Sequence, residues 1–216
     1  GLMGHGITQV SAEAGYDVVV TESSQDRLDA GINKITKQLG RAVEKGKIEQ
    51  SAADEILGRI HPTLDLNDFA DCDLVIEAIT ENLDLKLELW KQLDDIVKDE
   101  AYFATNTSSL PVINQAAATT RPTQFLGLHF FNPVQVMPLL EVIQSVTTSP
   151  EAIGAEQGEG APGQDPVLPG RLLGGAARVA LPAPGQVARA RIARRRNEPE
   201  AEVDRGSGRV AERDRD

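Results

Sequence analysis

A glycine loop that runs into a helix, and then into a short strand ending on an acid, leaves few folds open to this chain. Gly1, Gly4 and Gly6 fall within the opening Gly1-Leu2-Met3-Gly4-His5-Gly6. A helical stretch carries on to Ala14-Gly15, and the β-branched run Asp17–Glu22 (DVVVTE) follows. Three close glycines also fit an ordinary turn, but the helix, strand and terminal acid around them decide otherwise. The arrangement matches the later part of a G-x-G-x-x-G fingerprint, with Gly1 as its second glycine and Gly4 as its third. The second lets backbone approach a pyrophosphate, the third lets the helix pack close on a sheet, and the helix N-terminus offers free N–H groups to phosphates. Gly1, Leu2, Met3 and Gly4 are therefore candidate dinucleotide contacts. Glu22, eighteen residues past Gly4, stands where an acid accepts the two ribose hydroxyls, which favours NAD over NADP.

The rest of residues 1–150 continues in kind. Strand candidates are Asp17–Glu22, Asp73–Ile79 (DLVIEAI), Tyr102–Thr105 and Phe125–Phe130 (FLGLHF). Between them Leu28, Ile32, Ile35, Leu39 and Val43 make one apolar helical stripe, and Leu85, Leu89, Leu93 and Val97 another. Ser51, with Asp54 three residues on, resembles a capping box opening a shorter helix toward Ile60. Such alternation predicts βαβ units on a parallel sheet, an α/β Rossmann-type dinucleotide-binding domain over residues 1–150. The first strand of that fold, with the first fingerprint glycine, is missing before Gly1, so a central sheet position is expected to stand unfilled.

Composition divides the chain near residue 150. All eight aromatics and all seven lysines lie in residues 1–150, which carry 11 basic against 22 acidic residues and so the whole net charge of −11. An acidic body repels phosphate backbones and argues against a nucleic-acid partner. No apolar run reaches membrane-spanning length and no leader opens the chain, so a cytoplasmic protein with no membrane partner is expected. A single cysteine, Cys72, excludes a disulfide framework and a Cys-based zinc site; no metal is expected, and a small buried apolar role suits the thiol.

Polar groups gather where a site would want them. Thr105-Asn106-Thr107-Ser108-Ser109 and His129-Phe130-Phe131-Asn132-Pro133 each end a strand, at the carboxyl edge where ligands bind in such sheets. Glu141 sits within Leu139-Leu140-Glu141-Val142-Ile143. A carboxylate in that apolar setting needs a partner. His129 paired with Glu141 would make a positioned general base. Taken singly, His129 also fits a satisfied core histidine and Glu141 a surface ion pair. His61, before Pro62, reads as a surface loop residue.

The segments GLMGHGI, DLVIEAITENLDLK, ATNTSSLPV and GLHFFNPVQVMPLLEVI resemble the NAD-dependent 3-hydroxyacyl-CoA dehydrogenases, 3-hydroxybutyryl-CoA dehydrogenases among them, in order and spacing over about residues 1–150. The resemblance favours the catalytic reading of His129. It implies an oxidoreductase of fatty-acid or butyrate metabolism (β-oxidation) that oxidises the 3-hydroxyl of a coenzyme A thioester with NAD. It implies His129 as base, Glu141 as the residue orienting its imidazole, and Ser108 as hydrogen-bond donor to the substrate oxygen. Asn132 matches the asparagine beside the nicotinamide; Glu81, Lys86 and Ser108 match cofactor-side residues. Lys34, Lys37, Arg41, Lys45 and Lys47 would face the coenzyme A phosphates, or form a solvated helix face. His5 departs from the small residue expected in the glycine loop. Two alternatives stay open: a related 3-hydroxy acid dehydrogenase with a lysine base, against which the His129–Glu141 pair and HFFNP speak, and a non-catalytic NAD-binding fragment.

The resemblance stops after Ala152. The family continues into a helical domain that forms its homodimer; residues 151–216 instead hold no aromatic or lysine, and 39 of 66 are Gly, Ala, Pro or Arg. Low-complexity disorder and a basic patch at 188–196 both fit. A third reading fits best: codons of these four types begin with two G or C bases, as in a GC-rich gene read out of frame from about residue 153. The expectation is a tail that is not a folded domain, and a chain inactive and not dimeric as it stands.

Overall fold

The computed structural model describes residues 1–153 and 179–181. The elements are α1 (Gly4–Glu13), β1 (Val18–Val20), α2 (Gln25–Glu44), α3 (Gln50–Gly58), β2 (Ile60–Pro62), β3 (Leu74–Glu77), α4 (Leu83–Ile96), β4 (Tyr102–Thr105), α5 (Val112–Ala116), β5 (Phe125–Phe130), β6 (Leu140–Ile143) and β7 (Val179–Leu181). They build a seven-stranded sheet of order β2-β1-β7-β3-β4-β5-β6, parallel but for the antiparallel β5–β6 pair. This is the Rossmann-type α/β fold, and the β3–β4–β5 side brings three carboxyl strand ends to one edge.

The expected vacancy in the sheet is filled. Backbone of Val179–Leu181 lies between β1 and β3, with Val179 in register with both Val18 and Leu74. Two strands inside a sheet would otherwise present unpaired N–H and C=O groups, which folding rarely tolerates. The remaining expectations for the tail, including the basic run at 188–196, lie outside the described residues.

Local chemistry explains the other differences. Ser24 caps α2, its side chain accepting from Arg27 N, and Leu28, Ile35 and Leu39 of the α2 stripe are buried. Of the expected α4 stripe, Leu89, Leu93 and Val97 are buried and Leu85 is 38% exposed; Lys86 and Trp90 are buried beside them, Lys86 in an ion pair described below. Glu49, not Ser51, is the N-cap of α3 and makes no side-chain cap bond, while inside the helix Gln50 Nε2 donates to Asp54 Oδ1 at 2.7 Å. His61 lies in an edge strand, β2, rather than a loop, and is exposed.

The core beneath the edge is aromatic. Trp90 stacks on Phe103 at 5.0 Å and meets Phe125 edge-on at 4.8 Å, an arrangement worth more than the buried area alone. Arg121, 4% exposed, ends α4: its Nε donates to Asp94 Oδ1 at 2.7 Å and its Nη2 to the carbonyls of Asp94 and Val97. A cation there satisfies orphan carbonyls and complements the helix dipole.

Candidate active site

At the amino end of α1 the backbone is left available. No side chain caps the helix and no acid lies in its first turn. A Cβ built on Gly4 meets no described atom within 4 Å, whereas one on Gly6 would lie 2.9 Å from Val134 Cβ. Gly6 is therefore a close-packing glycine, pressed against the segment after Pro133, while Gly4 is buried with no described atom near its Cβ position. A shallow recess, with enclosed room for little more than a water molecule, lies here among Gly1, Gly4, His5, Glu22, Gly31 and Ile32. Glu22 is buried two residues past β1, which stops at Val20 rather than running on to the acid, and contacts the Gly1 amino group; Leu2 is exposed and Met3 half-buried. His5 Nδ1 lies 2.9 Å from the Gly1 carbonyl. Burial above all, then the nearby Lys34, holds its pKa below the usual imidazole value, against the pull of that carbonyl. Two of these features fit a dinucleotide: a helix N-terminus whose amides no side chain caps, for a pyrophosphate, and an enclosed carboxylate for ribose hydroxyls.

At the far end of the edge, β5 and β6 pair so that His129 stands opposite Glu141. His129 Nδ1 is 2.7 Å from Glu141 Oε2. The imidazole is 20% exposed and the carboxylate 51%, and the Phe131 ring leans on the imidazole at 4.5 Å. Asn132 is exposed and enters the cis Asn132–Pro133 peptide bond.

Between these ends lies the loop after β4. Glu81 Oε1 accepts from Thr107 Oγ1, from Ser108 N at 2.9 Å, from Ser109 N at 3.3 Å and from Ser108 Oγ at 3.4 Å. Burial pushes the Glu81 carboxyl up, but the Thr107 hydroxyl, the Lys86 ammonium and the two amides outweigh it and hold the pKa below the usual value. Lys86 itself is fully enclosed behind Glu81, its Nζ 3.6 Å from Glu81 Oε2 and within 2.7 and 2.8 Å of the two oxygens of Glu77. Asn106 Oδ1 accepts from Phe130 N at 3.0 Å and so ties β4 to β5. Sequence reasoning missed Glu77 and placed Asn106 in the polar edge segment without a role of its own; an acid inside the apolar run of β3 carries the same signal that singled out Glu141. Lys34, Lys37, Arg41, Lys45 and Lys47 are all exposed. Among the described residues no group of three or more metal-binding side chains forms, and no helix is long and apolar enough to cross a membrane.

A glycine-opened helix, a strand-end acid and polar groups on one sheet edge define a dinucleotide-binding domain of the dehydrogenase type. Residues 1–158 match the family described as 3-hydroxyacyl-CoA dehydrogenase, NAD binding domain, and the chain belongs to that family. It is 54% identical over 151 residues to a probable 3-hydroxybutyryl-CoA dehydrogenase of Deinococcus radiodurans, covering 70% of this chain and 54% of that protein. Its fold is similar to the crystal structure of Mycobacterium tuberculosis FadB2 (TM-score 0.70, 39% identity, 88% of this chain and 62% of that one). It is also similar to that of an Escherichia coli 3-hydroxybutyryl-CoA dehydrogenase (TM-score 0.72, 32% identity, 85% and 36%). The chain spans about half the length of the curated relatives it matches.

Proposed function

We propose that residues 1–153 form the NAD-binding and proton-transferring half of an enzyme that oxidises 3-hydroxyacyl-CoA thioesters, such as 3-hydroxybutyryl-CoA, to the 3-ketoacyl forms in fatty-acid or butyrate metabolism. The observation that carries this reading is the 2.7 Å contact between His129 and Glu141 at the carboxyl edge of the sheet, in a chain of this family. When bound, NAD supplies the acceptor for the hydride from carbon 3. With Nδ1 donating to Glu141, His129 presents Nε2 as the basic nitrogen that takes the hydroxyl proton. Glu141 fixes the tautomer and stabilises the imidazolium once formed. Ser108 donates to the substrate oxygen, from a loop that Glu81 holds through three residues. Asn132 stands beside the nicotinamide, and Gly1 to Gly4 with Glu22 hold the pyrophosphate and ribose. The excess of acidic over basic residues in residues 1–150 supports a small-molecule partner rather than a nucleic acid, and the reading places the protein in the cytoplasm.

The test puts residues 1–151 in place of the matching segment of the full-length Deinococcus radiodurans relative, so that the host's own opening segment is kept, and follows NADH absorbance with acetoacetyl-CoA in the joined protein. Thioester-dependent oxidation is expected, and it should vanish in H129Q. NADH binding without oxidation in the joined protein would point to a cofactor-binding role alone.

A further inference from the structure

Glu77 and Lys86 are charged and fully buried; Glu77 has no role above, and Lys86 has only its expected place on the cofactor side. Glu77 ends β3, directly in register with Thr105 at the end of β4. Its oxygens are fully used: Oε1 accepts from Lys86 Nζ and Ile79 N, and Oε2 from Lys86 Nζ and Thr105 Oγ1. Both side chains have no exposed surface. Burying two ions is costly, and an apolar pair of similar volume is often as stable or more so, so packing alone does not account for the charges. What the charges do is reach outward. Lys86 Nζ also lies 3.4 Å from the Asn106 carbonyl and 3.6 Å from Glu81. Glu81 grips the Thr107–Ser109 loop, and the Asn106 side chain receives Phe130 N, the residue after His129.

We propose that the Glu77–Lys86 pair is a positioning element: Glu77 pins the Lys86 ammonium so that it holds the Glu81 carboxylate and Asn106, and through them the Ser108 loop and the end of β5 that carries His129. It rests on the reading of this edge as the cofactor and substrate site. Neither residue touches a reacting atom; both act through Glu81 and Asn106. Burial pushes the Glu77 carboxyl up, against the pull of Lys86, Thr105 and the Ile79 amide.

The experiment uses the 216-residue chain. Replacing both charges (Glu77→Gln with Lys86→Met) removes the clamp without leaving an unpaired buried ion, and the amide can still accept from Ile79 N and donate to Thr105 Oγ1, so melting temperature should change little. Three signals should nevertheless change. The Glu81 carboxyl, followed by NMR, should titrate higher than in the unmodified chain. The Ser108 and Ser109 amides should exchange faster. NADH should bind about tenfold more weakly or worse, since its site is no longer held in order. Glu77→Gln alone strands the Lys86 charge and should lower the melting temperature. A double variant with unchanged Glu81 titration and amide exchange overturns the proposal, and so does one whose melting temperature collapses, since the pair would then be a packing element. The titration and exchange are read without cofactor, so failure of the unmodified chain to bind NADH would sink the functional reading and leave this one to be judged separately.

Discussion

His129 and Glu141 face each other across the antiparallel β5–β6 pair, in register, with Nδ1 2.7 Å from Oε2. Side chains opposite one another on an antiparallel pair project from the same face, so the contact is set by strand register rather than by a flexible loop. One residue of slip would send Glu141 to the other face.

The first prediction follows from that contact. In the joined protein built on its full-length relative, H129Q should lower turnover by about 10²–10⁴-fold, the usual contribution of a general base, with NADH affinity nearly unchanged. E141Q should lower turnover less, because the base survives in the wrong tautomer part of the time. Stopped-flow reduction of acetoacetyl-CoA and NADH fluorescence titration measure the two. Turnover of H129Q within about threefold of the unmodified rate would remove His129 from the role.

Glu22 should set cofactor choice. It is 7% exposed, two residues past β1, and a carboxylate there accepts two ribose hydroxyls and repels a 2′-phosphate. Glu22→Gln should weaken NADH by roughly 1–3 kcal/mol, the range for a charged hydrogen bond, and narrow the gap to NADPH. Equal affinity of the unmodified chain for both cofactors would refute it.

The two loop glycines should separate cleanly. Gly6→Ala drives a methyl to 2.9 Å from Val134 Cβ and should cost about 1–3 kcal/mol of stability, as overpacking does. Gly4→Ala meets no described atom within 4 Å, so it should leave the urea midpoint alone and weaken NADH instead. Equal destabilisation by both would show that the close contact at Gly6 is not what requires glycine.

These contrasts mark what a sequence can and cannot carry. Local patterns were legible: the glycine-to-acid order of α1 and β1, the α2 stripe, and β4 and β5 to the residue. So was the partnering of Glu141, because a carboxylate among apolar neighbours must find a donor. What escaped depends on chain brought from elsewhere. Lys86 can sit inside because Glu77, on a different element, gives its ammonium a partner, while Leu85 stays partly exposed. Three-residue β2 has too little length to show a period. β6 is a strand only because β5 lies beside it, and the filling of the central slot by Val179–Leu181 joins segments far apart in the chain.

Acid should unfold the site through Glu81 with a definite sign. Its folded-state pKa is depressed below the ordinary 4.5, so ionised Glu81 contributes stability that is fully present above that value. The contribution is lost as pH falls through the lower folded value. Glu77, whose carboxyl is pushed up, works with the opposite sign, so Glu81→Gln is the clean comparison. Unfolding free energies across pH should show the gap between E81Q and the unmodified chain closing below pH 4.5. A gap that stays constant through the acid range would assign Glu81 no linkage.

The 216-residue chain, expressed as it stands, should neither turn over nor form a stable dimer, although it carries His129, Glu141 and Ser108 together. The surface around the pair is open: Val136 is 72% exposed, Leu139 48%, Val142 45% and Val146 95%, and Glu141 itself is half in water. An uncovered charge pair is screened by solvent and gains little from its short contact, and a site that cannot exclude water forfeits much of the electrostatic stabilisation that catalysis needs. Apolar side chains exposed in one stretch also favour self-association without a defined partner face. Lowering the apolar exposure with Val136→Ser and Val146→Ser should therefore improve solubility and leave NADH affinity as it was, because neither residue lies in the recess at α1. Light scattering for mass and nicotinamide absorbance with acetoacetyl-CoA decide the matter. A soluble dimer turning over at about 1 per second or faster, an ordinary enzyme rate, would show that residues 154–216 cover this face after all.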